Sequence, residues 1–152
     1  MAIAFARIDN RLIHGQVVEG WLPSTDVSEV VVVSANAASS TLMNKMLRMS
    51  LPSGYGLNIF DEKGAAEYLQ KHTDGKIFLL LEDFTTLAYL VNNGVKIESV
   101  NVGNTKYEEG KKEYGQGIYL SEEEVATVKD LINKNVKFDV RALPSSLSTR
   151  LI

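Results

Sequence analysis

The stretch KIFLLLEDFTTLAYLVNNG (76–94) decides how this chain folds. Its first part, KIFLLLE (76–82), has a near-continuous apolar core with no alternation, as expected of a parallel strand covered on both faces. Directly after it, Phe84, Leu87, Leu90 and Val91 recur at the spacing of one helix face. Asn93-Gly94 then suits a helix end, where a left-handed residue is needed. One buried strand feeding one amphipathic helix is the repeating unit of an α/β sheet.

The same alternation runs outward in both directions. Strand-like stretches are IAFARI (3–8), EVVVVS (29–34), GLNIF (56–60), SVNVG (99–103) and KFDVRAL (137–143). Helical patterns occupy 36–50, stopped before Pro52, and 61–72. A later helix places Val125, Val128, Leu131 and Ile132 together, with Ser121 and Glu124 as a capping box and Lys134-Asn135 at its end. This order predicts an α/β, doubly wound, mostly parallel central sheet with helices on both faces. No linker or repeat divides the chain, so residues 1–152 are expected to form a single domain. NTKYEEGKKEYGQG (104–117) is the main irregular stretch, readable as a functional loop or as a solvated connection.

Composition narrows the function classes. The 152 residues carry a net charge of −3, which argues against broad nucleic-acid binding. The longest apolar runs, VVVV (30–33) and IFLLL (77–81), are too short to cross a bilayer. The opening MAIAFA leads straight into Arg7 and Asp9 without a signal peptide's apolar stretch. The chain has no cysteine, which removes a thiolate nucleophile and disulfides alike. A soluble cytoplasmic protein is expected, and no obvious metal cluster stands in the sequence. Neither a G-x-x-x-x-G-K-[ST] loop nor a strand–glycine–helix context around YGQG (114–117) supports ATP binding.

In a doubly wound sheet, ligands bind beyond the carboxyl ends of the strands. RIDNRLIHGQV (7–17) falls there, between the first strand and a helix that buries Val17, Val18, Trp21 and Leu22. A helix N-terminus supplies unpaired N–H groups and partial positive charge, an anion site in which Gly15 and Gln16 would meet a phosphate. Gly15, lacking a side chain, would let the phosphate come close to the backbone. Beside two guanidinium groups and that helix end, the cationic form of His14 is disfavoured, and a neutral ring is a nucleophile. Arg7 and Arg11 are expected to grip phosphate oxygens. Asp9 either accepts from a ring nitrogen, fixing the tautomer, or holds an arginine. The ensemble suits phosphoryl transfer through a phosphohistidine. Two plainer readings stay open at this point: His14 as a capping residue, and Asp9 with Arg11 as a surface ion pair.

The run ARIDNRLIHGQVVEGW (6–21) resembles the signature of the mannose/fructose/sorbose-type IIB components of the sugar phosphotransferase system. The likeness continues through VVVS (31–34), GVKIESVNVG (94–103) and the closing helix and strand. It implies that His14 takes a phosphoryl group from a histidine of a IIA protein. It further implies transfer to a sugar bound by membrane IIC and IID components, with which the chain would associate peripherally. By the same likeness Asp9 and Arg11 belong to the active loop, with Arg7 beside it, and neither a metal nor an organic cofactor is implied. Two places depart from the family pattern. VVVSANAAS stands where many members have an acid after VVVS or VVVN, and Ser34 is expected to cap a helix. Asn101-Val102-Gly103-Asn104-Thr105 replaces NVGGM, so Asn104 takes the place of a second glycine. A regulatory module of the same fold, binding a phosphorylated partner without chemistry, is the main alternative; a stand-alone hydrolase is another. His72 is expected to be exposed at a helix end, Glu122–Glu124 to form a solvated first turn, and Trp21, Met43, Met46 and Met49 to pack a core.

Overall fold

The computed structural model describes residues 3–72 and 74–152. Met1 and Ala2, the start of the opening read above, lie outside the described residues, as does Thr73. Strand β1 (Ile3–Asp9) leads through a π-helical turn (Gln16–Trp21) into the short helix α1 (Leu22–Ser24). Then come β2 (Glu29–Val33), α2 (Ala35–Ser39), α3 (Thr41–Ser50), β3 (Gly56–Phe60), α4 (Glu62–Lys71), β4 (Ile77–Leu81) and α5 (Phe84–Asn92). The chain closes with β5 (Ser99–Asn104), a β6 (Lys112–Gly115) and β7 (Ile118–Leu120) hairpin, α6 (Glu122–Asn133) and β8 (Lys137–Val140).

Six strands form one parallel sheet in the order β3-β2-β4-β1-β5-β8. From β1 the chain moves toward one sheet edge, and after β3 it returns toward the other. The turn, α1, α2 and α3 pack on one face around Trp21, Leu22, Ala37 and Leu47. The other face carries α4, α5 and α6 around Leu69, Leu87, Leu90, Val128 and Leu131. This is the doubly wound architecture that the strand–helix alternation predicts. Among the described residues no helix is long and apolar enough to cross a membrane.

Local chemistry sets the boundaries. The capping box is present in full, with the Ser121 hydroxyl accepting from the Glu124 amide and the Glu124 carboxylate accepting from the Ser121 amide. The helix expected over 36–50 is two helices, because Ser34 caps α2 and Ser40 caps α3, each accepting from an amide three residues on. Gly94 (φ 92°) and Asn135 (φ 68°) supply the left-handed ends of α5 and α6.

Three expectations are corrected. The 104–117 stretch is partly regular, its second half being paired strand β6, which a polar, glycine-rich run does not advertise. Met43, Met46 and Met49 are 37%, 57% and 86% exposed, because Leu47 is the α3 residue turned into the core. His72 is half-buried rather than exposed: its ring stacks on Tyr68 at 3.8 Å and Nδ1 meets the Tyr68 carbonyl at 2.7 Å, closing the end of α4.

Candidate functional site

The pleat of β1 divides its side chains. Ala6 and Ile8 join the α4–α6 core, while Phe5 packs beneath Trp21 on the opposite face. Arg7 and Asp9 share the face of Phe5, by strand alternation. They therefore lie under the turn that follows the His14 loop, and both are fully buried.

Asp9 is the hub of the site. Its Oδ2 accepts from Arg7 Nη2 (2.9 Å) and Arg11 Nη2 (2.8 Å), and meets His14 Nε2 at 3.0 Å. Its Oδ1 accepts from Arg11 Nε (2.9 Å) and the Arg11 amide (3.1 Å). Burial pushes the Asp9 carboxyl up, but the bonds from His14 and Arg11 and the Arg7 charge outweigh it, so the group titrates below the usual carboxylate range. Asp9 thus contacts the His14 ring and both arginines at once.

Arg7 sits differently from expectation. Nη1 donates to Asn101 Oδ1 (2.5 Å) and the Arg141 carbonyl (3.1 Å), Nη2 also donates to Gln16 Oε1 (3.1 Å), and the guanidinium lies 5.5 Å from the Trp21 ring centre. With no exposed surface and both Nη atoms bonded to protein atoms, it braces Asp9 and does not reach outward for phosphate oxygens. Burial lowers its pKa, and Asp9 opposes that shift. Arg11 is the outward cation, its side chain 39% exposed, and its pKa is raised chiefly by the hydrogen bond to Asp9.

The loop between them turns sharply. The Leu12 amide donates to the Asp9 carbonyl, and Leu12 holds φ 62° with its side chain buried. A non-glycine residue in that region carries strain of order 1 kcal/mol or more, retained here because its side chain is locked in the core. His14 follows with its side chain 19% exposed. Gly15 has ordinary right-handed helical angles, and a Cβ there would meet nothing within 4 Å. Its backbone is open to a ligand, although neither packing nor φ demands a glycine. No side chain caps the N-terminus of the turn. Gln16, expected at the phosphate, bonds Arg7 and Arg11 through Oε1.

Sequence reading missed Arg141, Asn101 and Gly103. The Arg141 carbonyl also accepts from Asn101 Nδ2 (3.2 Å). Arg141, with Arg11 and Gln16, lines a polar cavity of about 580 Å³ beside the loop. At Gly103 an added Cβ would lie 1.9 Å from Arg7 Nη2, so only glycine lets the guanidinium cross the β5 backbone. A glycine inside a strand was the available signal. Among the described residues no cluster of three or more His, Asp or Glu side chains is placed to hold a metal.

A family model for the sorbose subfamily IIB component of the phosphotransferase system matches residues 3–151. The chain belongs to that family. It is 29% identical over 154 aligned positions to the sorbose-specific EIIB component of Lacticaseibacillus casei, covering 100% of this chain and 94% of that one. It is 31% identical to the mannose-specific EIIAB component of Escherichia coli K12, covering 100% of this chain but 48% of the relative, about half its length. Among solved structures, the IIBSor domain of the Klebsiella pneumoniae sorbose permease superposes with a TM-score of 0.92 at 26% identity, over 99% of this chain and 93% of that one. This chain is thus a IIB-family chain of the phosphotransferase system, with the α/β fold of its structural neighbours.

Proposed function

We propose that this IIB chain is a phosphocarrier whose phosphoacceptor is His14 Nδ1. The observation that carries the reading is the 3.0 Å contact between His14 Nε2 and the buried Asp9 carboxylate. A carboxylate only accepts, so Nε2 bears the proton and Nδ1 keeps the lone pair. In the first step Nδ1 attacks the phosphorus of a phosphohistidine on a IIA donor. The donor's P–N bond breaks and its electron pair returns to the donor imidazole. The His14 ring, now carrying phosphorus on Nδ1 and a proton on Nε2, gains positive charge that Asp9 neutralises.

In the second step a hydroxyl oxygen of a sugar held by IIC and IID membrane partners attacks the phosphorus. The P–Nδ1 bond breaks, its electrons return to the ring, and the hydroxyl proton passes to solvent. Arg11, the exposed cation of the loop, together with the open backbone at Gly15, meets the equatorial phosphoryl oxygens; Gln16 holds Arg11 in place. Arg7 keeps Asp9 charged and fixed. Residues 1–152 act as one IIB unit, associating peripherally with the permease.

Incubation with phosphorylated IIA protein should add one acid-labile phosphate, abolished in His14→Ala, and nitrogen-15 NMR should place it on Nδ1. Phosphate persisting on the variant sinks the assignment. Tight IIA binding without phosphate on the wild-type chain would instead support the regulatory module.

A further inference from the structure

Asn104 occupies a junction that the transfer steps above leave unused. The ladder between β1 and β5 runs Arg7 with Asn101 and Ile8 with Val102, then skips Gly103, so that Asp9 pairs with Asn104. The skipped glycine is the one crossed by the Arg7 guanidinium. The bulge therefore sets Asn104 beside the point where the chain leaves β1 for the His14 loop. There the Asn104 carbonyl accepts from the Asn10 amide (3.3 Å), and Asn104 Nδ2 donates to Asn10 Oδ1 (2.6 Å).

On its other side Asn104 meets the hairpin. Gly117 has φ 79°, and a Cβ on it would stand 2.6 Å from Asn104 Oδ1. The neighbouring Thr105 fastens the hairpin, its amide donating to the Gly117 carbonyl (2.9 Å) and its hydroxyl accepting from the Tyr119 amide (2.7 Å). Asn104 thus joins a hairpin anchored in the core through Ile118 and Leu120 to the residue next to Asp9. Where a glycine stood at 104, the backbone contact could remain, but the side-chain bridge to Asn10 would not.

We infer that Asn104 is a positioning residue for phosphoryl transfer: through Asn10 it fixes the exit of β1, and so the Asp9 carboxylate that orients His14. This rests on His14 being the phosphoacceptor. A small displacement of a reacting group costs rate out of proportion to the distance moved. Loss of the bridge is therefore expected to act on turnover and not on donor recognition.

The test uses the full chain with Asn104→Ala, Asn104→Gly, Asn10→Ala and the Asn10→Ala/Asn104→Ala pair. Each single variant should take phosphate from phospho-IIA about five- to thirty-fold more slowly at saturating donor, with the half-saturating donor concentration unchanged. The double variant should be no slower than the worse single variant, since both remove one bridge. Nitrogen-15 shifts of the His14 ring should move from a dominant Nε2–H tautomer toward a mixture. If Asn104→Ala fails to fold, Asn10→Ala breaks the same bond from the loop side and decides alone. Wild-type rate and an unchanged tautomer in Asn10→Ala, or losses that multiply in the double variant, overturn the inference. The tautomer measurement needs no donor, so it stands even if the wild-type chain proves not to be phosphorylated on His14, the result that defeats the functional reading itself.

Discussion

Asp9 accepts from Arg7, Arg11 and His14 while fully buried, so removing its charge strands a cation. Asp9→Asn leaves the Arg7 guanidinium without exposed surface and without its counter-ion, a change expected to cost about 3–5 kcal/mol. The pH dependence has a definite sign. The folded carboxyl titrates below the unfolded one, so its network stabilises the fold above the unfolded pKa of about 4 and loses that contribution as pH falls toward the folded value. Urea unfolding should therefore show a gap between wild type and Asp9→Asn that is full at pH 5 and narrows toward pH 3. A gap of equal size at both pH values would show that Asp9 is not ionised in the fold. The sequence made Asp9 a candidate but gave Arg7 the wrong task. Its partners explain why: Asn101 and the Arg141 carbonyl lie 94 and 134 residues away and enter only when β1, β5 and the chain after β8 come together.

The elements were legible to unequal degrees. Buried parallel strands such as Ile77–Leu81 announce themselves as apolar runs, and helices α5 and α6 by their period and caps. The hairpin was not legible, because β6 (Lys112–Gly115) is polar and mostly unburied, and its pairing depends on core anchors further along the chain. The β1–β5 bulge was equally hidden, although it governs the site. At Gly103 a methyl group would overlap the Arg7 guanidinium at 1.9 Å, and a guanidinium held by Asp9, Asn101 and Gln16 has little room to yield. Gly103→Ala should lower stability by about 1–3 kcal/mol, as overpacking does. Phosphate uptake on His14 should fall with it, because Arg7 drags Asp9. Thermal melting together with a phosphorylation time course checks both. A stable, fully active Gly103→Ala chain would mean that Arg7 is free to relocate.

At the scale of the molecule, the sheet order places His14 at the carboxyl edge of a central strand, with helices covering both faces. Behind the ring stand Asp9 and Arg7, neither with exposed surface, while the His14 side chain keeps 19% exposure on its other side. In the proposed relay, a donor protein and a membrane-bound acceptor that both bring a reacting atom to the exposed side of the His14 ring would occupy the same space. Under that proposal the two encounters at His14 are successive, not simultaneous. It follows that a IIA protein lacking its own phosphorylatable histidine should slow transfer from phosphorylated chain to sugar in permease-bearing vesicles. Raising the vesicle concentration should restore the rate, as expected when two partners compete for one face. Transfer that continues unchanged with the inactive IIA protein in saturating excess would overturn the shared-face reading.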